Sequence, residues 1–273
     1  MKYSAMYSNK IKLNDFDEII IIYDAQDSAL PKFLQAHENQ HIILSIANVP
    51  DFIDTQEWKK LNAIYEKYPN FSIRFGGVGA FRELPENIIE FLQSDVLTMP
   101  YFFGMIVVNF DQLNYILNLG VSQVYLGEDI CFSLDGAKRL CKQYHVAVRA
   151  FPNVAQSSVK ATPALKKFFI RPEDTVEYTH YIDTLEFWGP TDRQEILLRI
   201  YKKGIPFNDL NDLILDFNFN FDSRRILPGF ARIRSSCNRR CMKGTPCSIC
   251  DRFLSISEKL SEKGLVIHHK KKD

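Results

Sequence analysis

A short apolar run, a polar turn and an amphipathic helix follow one another repeatedly along most of this chain. Several runs are apolar without a break, such as Ile19-Ile20-Ile21-Ile22 and Ile42-Ile43-Leu44. Strands of this kind are buried on both faces, because a strand with one solvated face would alternate apolar and polar residues. The repeat therefore predicts an α/β fold built on a parallel sheet covered by helices.

The number of repeats favours a closed barrel. Eight strand–helix rounds of about 23 residues each fit a compact (β/α)8 TIM-like barrel with short loops, and an open sheet with an added edge strand is the alternative. The predicted strands are 18–23, 41–47, 71–76, 96–102, 123–127, 146–151, 168–171 and 184–188. The fourth is ambiguous, because residues 105–110 have the same character. Gly120 and Gly204 stand where helix C-caps need a left-handed residue.

Charge divides the chain into two parts. The net charge is +1, but residues 224–273 carry 13 Lys and Arg against 4 Asp and Glu, a balance of +9, which leaves −8 for the first 223 residues. We therefore expect a barrel over residues 1–204 and a basic C-terminal segment over residues 205–273 packed on it. Basic appendages often bind phosphate. The part from Arg224 to Arg252 is thus a candidate contact for RNA or another phosphate-bearing ligand, with a solvated tail as the alternative.

Composition excludes several classes of protein. The content of 46% hydrophobic and 25% charged residues is that of an ordinary globular chain. No apolar run approaches the roughly 20 residues needed to span a bilayer. The N-terminal residues lack the hydrophobic core of a secretion signal. We expect a cytoplasmic protein.

Four of the six cysteines lie close together in the basic segment. Cys237, Cys241, Cys247 and Cys250 form a C-x3-C-x5-C-x2-C pattern. Disulfides are disfavoured in a reducing cytosol, and thiolates at short spacing can converge on one soft ion. A four-cysteine zinc site and an iron–sulfur cluster are both open, and two disulfides or unligated thiols are the remaining alternative. The radical S-adenosylmethionine class is excluded. Enzymes of that class carry a C-x3-C-x2-C motif after the first barrel strand, whereas the clustered cysteines of this chain follow the last predicted strand and have a different spacing.

Barrel enzymes carry their chemistry at the C-terminal ends of the strands. Polar residues stand at most of the predicted ends: Asp24, Asp27, Asn48, Arg74, Tyr101, Glu128, Asp129, Arg149, Asn153, Arg171, Glu173, Asp174 and Glu186. Glu186 and Arg149 are the first catalytic candidates, since a charge inside an otherwise apolar strand needs a reason. Asp24 and Glu128 are the other two. A buried ion pair between Arg149 and Glu186 that only holds the barrel together is the structural alternative. His145 is assigned no chemical role.

One stretch is similar to a known family. Residues 120–129 are Gly-Val-Ser-Gln-Val-Tyr-Leu-Gly-Glu-Asp, and Phe132-Ser133-Leu134-Asp135 and Val146-Ala147-Val148-Arg149 follow. This stretch resembles a barrel unit of the collagenase-like peptidase family (U-thirty-two). Members combine a barrel with late cysteines, and several carry an iron–sulfur cluster and act in hydroxylation of RNA bases or in quinone biosynthesis. The family's cysteines are more widely spaced, so its ligands are not transferred one by one.

These observations predict an enzyme-like barrel with a four-cysteine iron–sulfur or zinc centre that modifies, for example hydroxylates, RNA or another phosphate-bearing substrate. The alternative is a non-enzymatic interaction protein whose C-terminal segment is stapled by zinc. Peptidase activity has little support, because no nucleophile–histidine pairing and no metal-binding histidine motif is visible.

Overall fold

The structure is a computed structural model of the 273-residue chain. It describes residues 1–7, 13–24, 28–46, 55–75, 90, 99–103, 107, 109–126, 144–149, 170–187, 194–206, 219–221, 223–235, 237, 247–260 and 266–269. The described part includes every barrel strand and most of the segments that lead into them.

Eight parallel strands form a closed barrel. They are β1 (Lys2–Met6), β2 (Glu18–Ile22), β3 (His41–Ile46), β4 (Phe71–Phe75), β5 (Tyr101–Phe103), β6 (Gln123–Leu126), β7 (His145–Arg149) and β8 (Thr184–Phe187). The ring closes because β1 pairs with β2 on one side and with β8 on the other. The predicted TIM-like barrel is confirmed, and the open sheet is excluded.

The set of strands differs from the prediction at two places. The predicted strand over 168–171 is wrong at its described end, because Ile170 and Arg171 lead into a 3-10 turn at Pro172–Asp174. Proline after Arg171 removes a ladder donor and favours a turn. The eighth strand is instead β1, at the N-terminus, whose alternation of polar and apolar residues hid it from a search for unbroken apolar runs.

Of the two candidates for the fourth strand, the end of the first forms a strand and the second contributes a single bridge residue. Residues 101–103 form β5, which pairs with β4 and β6. Val107, in the second candidate segment, makes an isolated parallel bridge to Leu126. Its backbone N–H donates to the carbonyl of Tyr125 at 2.8 Å. β5 is thus short, and Val107 extends the contact with β6.

Helices cover the outside of the barrel. They are α1 (Leu30–Ala36), α2 (Thr55–Lys67), α3 (Phe110–Leu117), α4 (Thr175–Tyr178) and α5 (Gln194–Lys203). Their aromatic residues pack on outward-facing strand residues, as Trp58 does on Phe75 and Tyr201 on Phe187, with ring centroids 5.4 and 5.0 Å apart. Gly120 and Gly204 have φ of 75° and 60°, which confirms the left-handed positions predicted for them. Among the described residues, no helix is long and apolar enough to cross a membrane.

The C-terminal segment has its own elements. Strands β9 (Phe219–Phe221) and β10 (Val266–His269) pair antiparallel, and helices α6 (Phe230–Ser235) and α7 (Ile249–Leu260) lie between them in sequence. Phe230 stacks on Phe253 at 5.2 Å. Three hydrogen bonds join the described part of the segment to residues before β8: Nη1 of Arg171 donates to the carbonyl of Ile226 at 3.2 Å, the Tyr178 hydroxyl to that of Ala231 at 3.3 Å, and Nη2 of Arg232 to Oε1 of Glu177 at 3.5 Å.

Candidate functional site in the barrel interior

The interior of this barrel is polar. Successive residues of a strand point to opposite faces of the sheet. A side chain that contacts a side chain across the barrel must therefore point into the interior, and so must every second residue of its strand. The buried polar residues of the strands are Ser4, Glu18, Ser72, Arg74, Gln123, Thr184 and Glu186. TIM barrels are usually filled by branched apolar side chains. Buried polar side chains cost stability unless they are hydrogen-bonded or ion-paired. Their presence here therefore makes the barrel interior the candidate site.

An ion pair crosses the barrel in the half of the interior that lies nearer the C-terminal ends of the strands. Arg74 on β4 places Nη1 3.4 Å from Oε1 and 3.2 Å from Oε2 of Glu186 on β8. Nε of Arg74 donates to the hydroxyl of Ser45 on β3 at 3.3 Å. Both charged side chains are almost fully buried. The pair lies towards the C-terminal ends of its strands, where barrel sites are found.

Arg149 is next to Glu186 in the sheet. The backbone register pairs Arg149 on β7 with Glu186 on β8, as the sequence position of each had suggested. The described partner of Glu186 is Arg74, a residue that the sequence analysis had placed at a strand end without choosing it. The side chain of Arg149 lies outside the described part.

The other polar residues predicted at the C-terminal ends of the strands, here called the mouth of the barrel, do not all lie there. Asp24 follows β2 directly and is exposed. Glu128, Asp27, Asn48, Asp129 and Asn153 lie outside the described residues. The sequence predicts Arg171, Glu173 and Asp174 at the C-terminal end of a strand over 168–171, and this prediction is wrong, because Arg171 leads into the 3-10 turn at Pro172–Asp174. Arg171 is instead buried against Asp174, with Nη2 2.8 Å from Oδ1, in the turn that contacts the C-terminal segment.

A second polar cluster, here called the floor cluster, lies at the N-terminal ends of the strands. Its centre is Glu18 on β2, whose Oε1 accepts from the hydroxyl of Thr184 on β8 at 3.1 Å. Nε2 of His145 on β7 lies 2.6 Å from the same hydroxyl and 3.5 Å from Oε1 of Glu18. Nζ of Lys2 on β1 is 3.9 Å from Oε1. Because the Thr184 hydroxyl donates its proton to the carboxylate, His145 must supply the proton on Nε2.

His41 and Gln123 complete the floor cluster. Nε2 of His41 on β3 lies 2.8 Å from the hydroxyl of Ser72 on β4. Gln123 on β6 is in register with His145, so its side chain shares that inward face, and it is buried. Seven of the eight strands thus contribute a polar residue to this level of the barrel.

The charges of the floor cluster shift two pKa values. Burial raises the pKa of the Glu18 carboxyl, but the hydrogen bond from His145 and the charges of His145, His41 and Lys2 outweigh it and hold the pKa below its usual value. Burial lowers the pKa of His41, as do the charges of Lys2 and His145, and the opposing attraction of Glu18 does not restore it. At neutral pH the cluster therefore holds a carboxylate beside a neutral His41 imidazole.

Sequence reasoning missed the floor cluster, although a signal was present. Strands β4 and β8 alternate between polar and apolar residues throughout, and β1 does so from Lys2 to Ala5. In a ring of parallel strands covered by helices, the polar face of such a strand can only point inward. Alternation in three strands of a predicted barrel therefore indicates a polar interior.

The cysteines of the basic segment are partly described. Cys237, Cys247 and Cys250 are half-buried thiols outside any disulfide. Cys241 lies outside the described residues. Within the described ranges, no three His, Cys, Asp or Glu side chains form a group that could hold a metal ion. The four-cysteine centre, which requires Cys241, stays a prediction.

Comparison with known proteins adds no assignment. A scan against protein-family models finds no match to this chain, and neither does a search of curated proteins.

Proposed function

We propose that this chain is an enzyme that binds a phosphate-bearing substrate at the C-terminal end of the barrel and modifies it there. RNA is the first candidate for this substrate. The observation that carries the proposal is the buried pair of Arg74 and Glu186 inside the barrel. A parallel barrel without a site has no need of charges in its interior, and burying them costs several kcal/mol per ion. Such groups are kept where a site uses them.

Arg74 has the donors to hold an anion. A guanidinium carries five N–H groups, and the bonds to Ser45 and Glu186 use Nε and Nη1. Among the described residues, none accepts from Nη2. Its two N–H groups are therefore available to a phosphate or carboxylate oxygen, which arginine binds with defined geometry.

Glu186 supplies a proton acceptor beside that anion. Both of its oxygens lie near the same nitrogen of Arg74, so each keeps a lone pair for another donor. A buried carboxylate held by an arginine is a suitable general base for a substrate hydroxyl or water. The backbone of Arg149 stands in register with that of Glu186.

The basic segment would extend the binding surface for a long substrate. It carries the charge balance of +9 from Arg224 onwards, and it is held against the barrel by the bonds that Arg171 and Tyr178 make to Ile226 and Ala231. Each phosphate neutralised by such a residue adds affinity that falls with salt.

The four-cysteine centre belongs to the same proposal. Thiolates are soft ligands that suit zinc or an iron–sulfur cluster, and Cys237, Cys247 and Cys250 are thiols in a segment with many positive charges. Cys237, Cys241, Cys247 and Cys250 would hold the centre. An iron–sulfur cluster would supply electron transfer, and zinc would supply structural order.

Two measurements test the proposal. Anaerobic purification followed by analysis of iron, sulfide and zinc should find one of these centres in stoichiometric amount, and absence of all three contradicts that part. A 12-nucleotide single-stranded RNA should bind the wild type, and Arg224→Glu/Arg232→Glu should weaken binding at least tenfold at 100 mM salt. Lys59→Glu/Lys60→Glu, the same charge reversal on exposed positions of α2, should have little effect. Equal loss in both variants, or no RNA affinity, contradicts the proposal.

A non-enzymatic, zinc-stapled interaction protein is the second candidate. It is favoured by the hydrogen bonds of the C-terminal segment, which in the described part join it to Arg171, Glu177 and Tyr178 in the segment between β7 and β8. Stoichiometric zinc together with absence of RNA binding would select it.

A further inference from the structure

The carboxylate of Glu18 is satisfied on one oxygen only. Oε1 receives Thr184 at 3.1 Å, His145 at 3.5 Å and Lys2 at 3.9 Å. Oε2 is buried, and among the described residues it has no hydrogen-bond donor. The residue as a whole is only 2% exposed. A buried anionic oxygen without a donor is costly, so its persistence indicates that a donor from outside the chain occupies the space beside it.

The charge around Oε2 favours a cationic donor. Within 4.0 Å of the carboxylate, the described part of the chain offers one Lys or Arg, namely Lys2, whose side chain is 54% exposed and reaches Oε1 alone. The lowered pKa of Glu18 keeps the carboxylate ionised at neutral pH, and the lowered pKa of His41 leaves its imidazole uncharged there. His145 and Lys2 thus approach Oε1, and among the described residues no donor reaches the buried Oε2.

A cleft on the N-terminal face of the barrel lies beside this level. Its volume is about 730 Å³, and two members of the floor cluster, Lys2 and His41, line it. The lining carries three carboxylates and two lysines: Asp15, Asp17 and Glu38, and Lys2 and Lys202. Glu18 is not part of the lining, but Nζ of Lys2, which is, lies 3.9 Å from Oε1 of Glu18. Together with Glu18 there are four carboxylates against two ammonium groups, a balance that attracts cations.

We propose that the floor of the barrel is a separate binding site for a small primary amine, whose ammonium N–H groups donate to Oε2 of Glu18. The ligand enters through the cleft on the N-terminal face. An ammonium group satisfies both needs of the site, since it brings N–H donors and a compensating positive charge. The site lies at the opposite end of the barrel from the Arg74 and Glu186 pair and does not depend on the function proposed for that pair.

The test compares two cations of equal charge. Methylammonium carries three N–H donors, and tetramethylammonium carries none. Thermal unfolding of the full chain is followed at pH 7.5 while methylammonium chloride replaces tetramethylammonium chloride at constant ionic strength. The wild type should show a saturable rise in Tm with methylammonium, because ligands that bind only the native state stabilise it. No rise specific to methylammonium overturns the proposal.

Variants locate the effect. Glu18→Gln should weaken the apparent affinity at least tenfold, and Glu66→Gln, the same change on the exposed face of α2, should leave it unchanged. Lys2→Met, at a half-exposed position, removes the competing ammonium group and should tighten binding at least twofold, so it decides the matter if Glu18→Gln fails to fold. An equal Tm rise in Glu18→Gln, or unchanged or weaker binding in Lys2→Met, contradicts the site.

Discussion

Nη1 of Arg74 on β4 lies 3.2 Å from Oε2 of Glu186 on β8, so that one buried ion pair crosses the interior of the barrel. The two residues are 112 positions apart, and each is surrounded by apolar neighbours in its own strand. The contact is possible only because the closed ring turns both side chains inward. Arg74 and Glu186 therefore act together, both in the stability of the barrel and in any chemistry at the C-terminal ends of its strands.

Removing one partner of this pair should be worse than removing both. Glu186→Met leaves the Arg74 guanidinium buried without its carboxylate, and we expect a loss of about 3–5 kcal/mol in the free energy of unfolding. Arg74→Met/Glu186→Met replaces both charges by apolar side chains and should cost about 1 kcal/mol or less. Urea denaturation at pH 7 measures both. A double variant as unstable as the single one would show that the pair is not coupled as its geometry indicates.

Acid should destabilise the fold through the floor cluster. His41 has a folded pKa below its unfolded value of 6.5, so the unfolded chain takes up a proton first and stability falls as the pH drops below 6.5. Glu18 has a folded pKa below 4.5, so its contribution is present above 4.5 and is lost as the pH falls through the folded pKa. Urea denaturation between pH 8 and pH 4 measures the loss.

His41→Gln isolates the first part of that loss. The amide of glutamine can still reach the hydroxyl of Ser72, but it does not titrate, so the fall in stability just below pH 6.5 should become shallower. His180→Gln removes an exposed histidine and should leave the profile as it is. Identical profiles for the wild type and His41→Gln would show that His41 does not carry the acid sensitivity.

The contact between the barrel and the C-terminal segment should depend on Arg171. Its guanidinium is 2% exposed, pairs with Asp174 and donates to the carbonyl of Ile226. Arg171→Met should cost about 3–5 kcal/mol, because it leaves a buried carboxylate uncompensated. Arg232→Met breaks an exposed pair with Glu177 and should cost about 1 kcal/mol or less. Equal effects in the two variants would refute the assigned role of Arg171.

Closure of the barrel by β1 can be tested in the same way. Ala5 is fully buried and stands in register with Ile19 on β2 and Phe187 on β8. Ala5→Pro removes a ladder donor from a strand paired on both sides and should cost about 3 kcal/mol or more. Ala5→Gly keeps the donor and should cost about 1 kcal/mol. A tolerated proline would mean that β1 is not part of the ring.

The barrel could be predicted from the sequence because unbroken apolar runs such as Ile19-Ile20-Ile21-Ile22 require burial on both faces. β1 could not be found in that way, since Lys2 and Ser4 alternate with Tyr3 and Ala5 as they would in a strand that faces water. In the barrel, the face of β1 with Lys2 and Ser4 lies against the polar interior. His145 was missed for another reason, because β7 begins at His145, one residue before the predicted start of that strand.

The candidate site was predictable in its members but not in its pairings. Glu186 stood out as a charge in an apolar strand, yet its partner Arg74 lies on a strand that is distant in sequence. Which residues of a barrel face one another depends on the stagger of all eight strands, and this stagger follows from the closed geometry and not from any local pattern. For the same reason Arg149, the neighbour of Glu186 in register, was the more obvious partner from the sequence alone.

The most direct test of a phosphate-binding barrel is calorimetric titration with a 5′-phosphorylated RNA trinucleotide, which is too short to need the basic segment. The wild type should bind it, and Arg74→Met/Glu186→Met, which is expected to keep the fold, should bind at least tenfold more weakly. Equal affinity in the two proteins, or no binding by the wild type, would contradict the account.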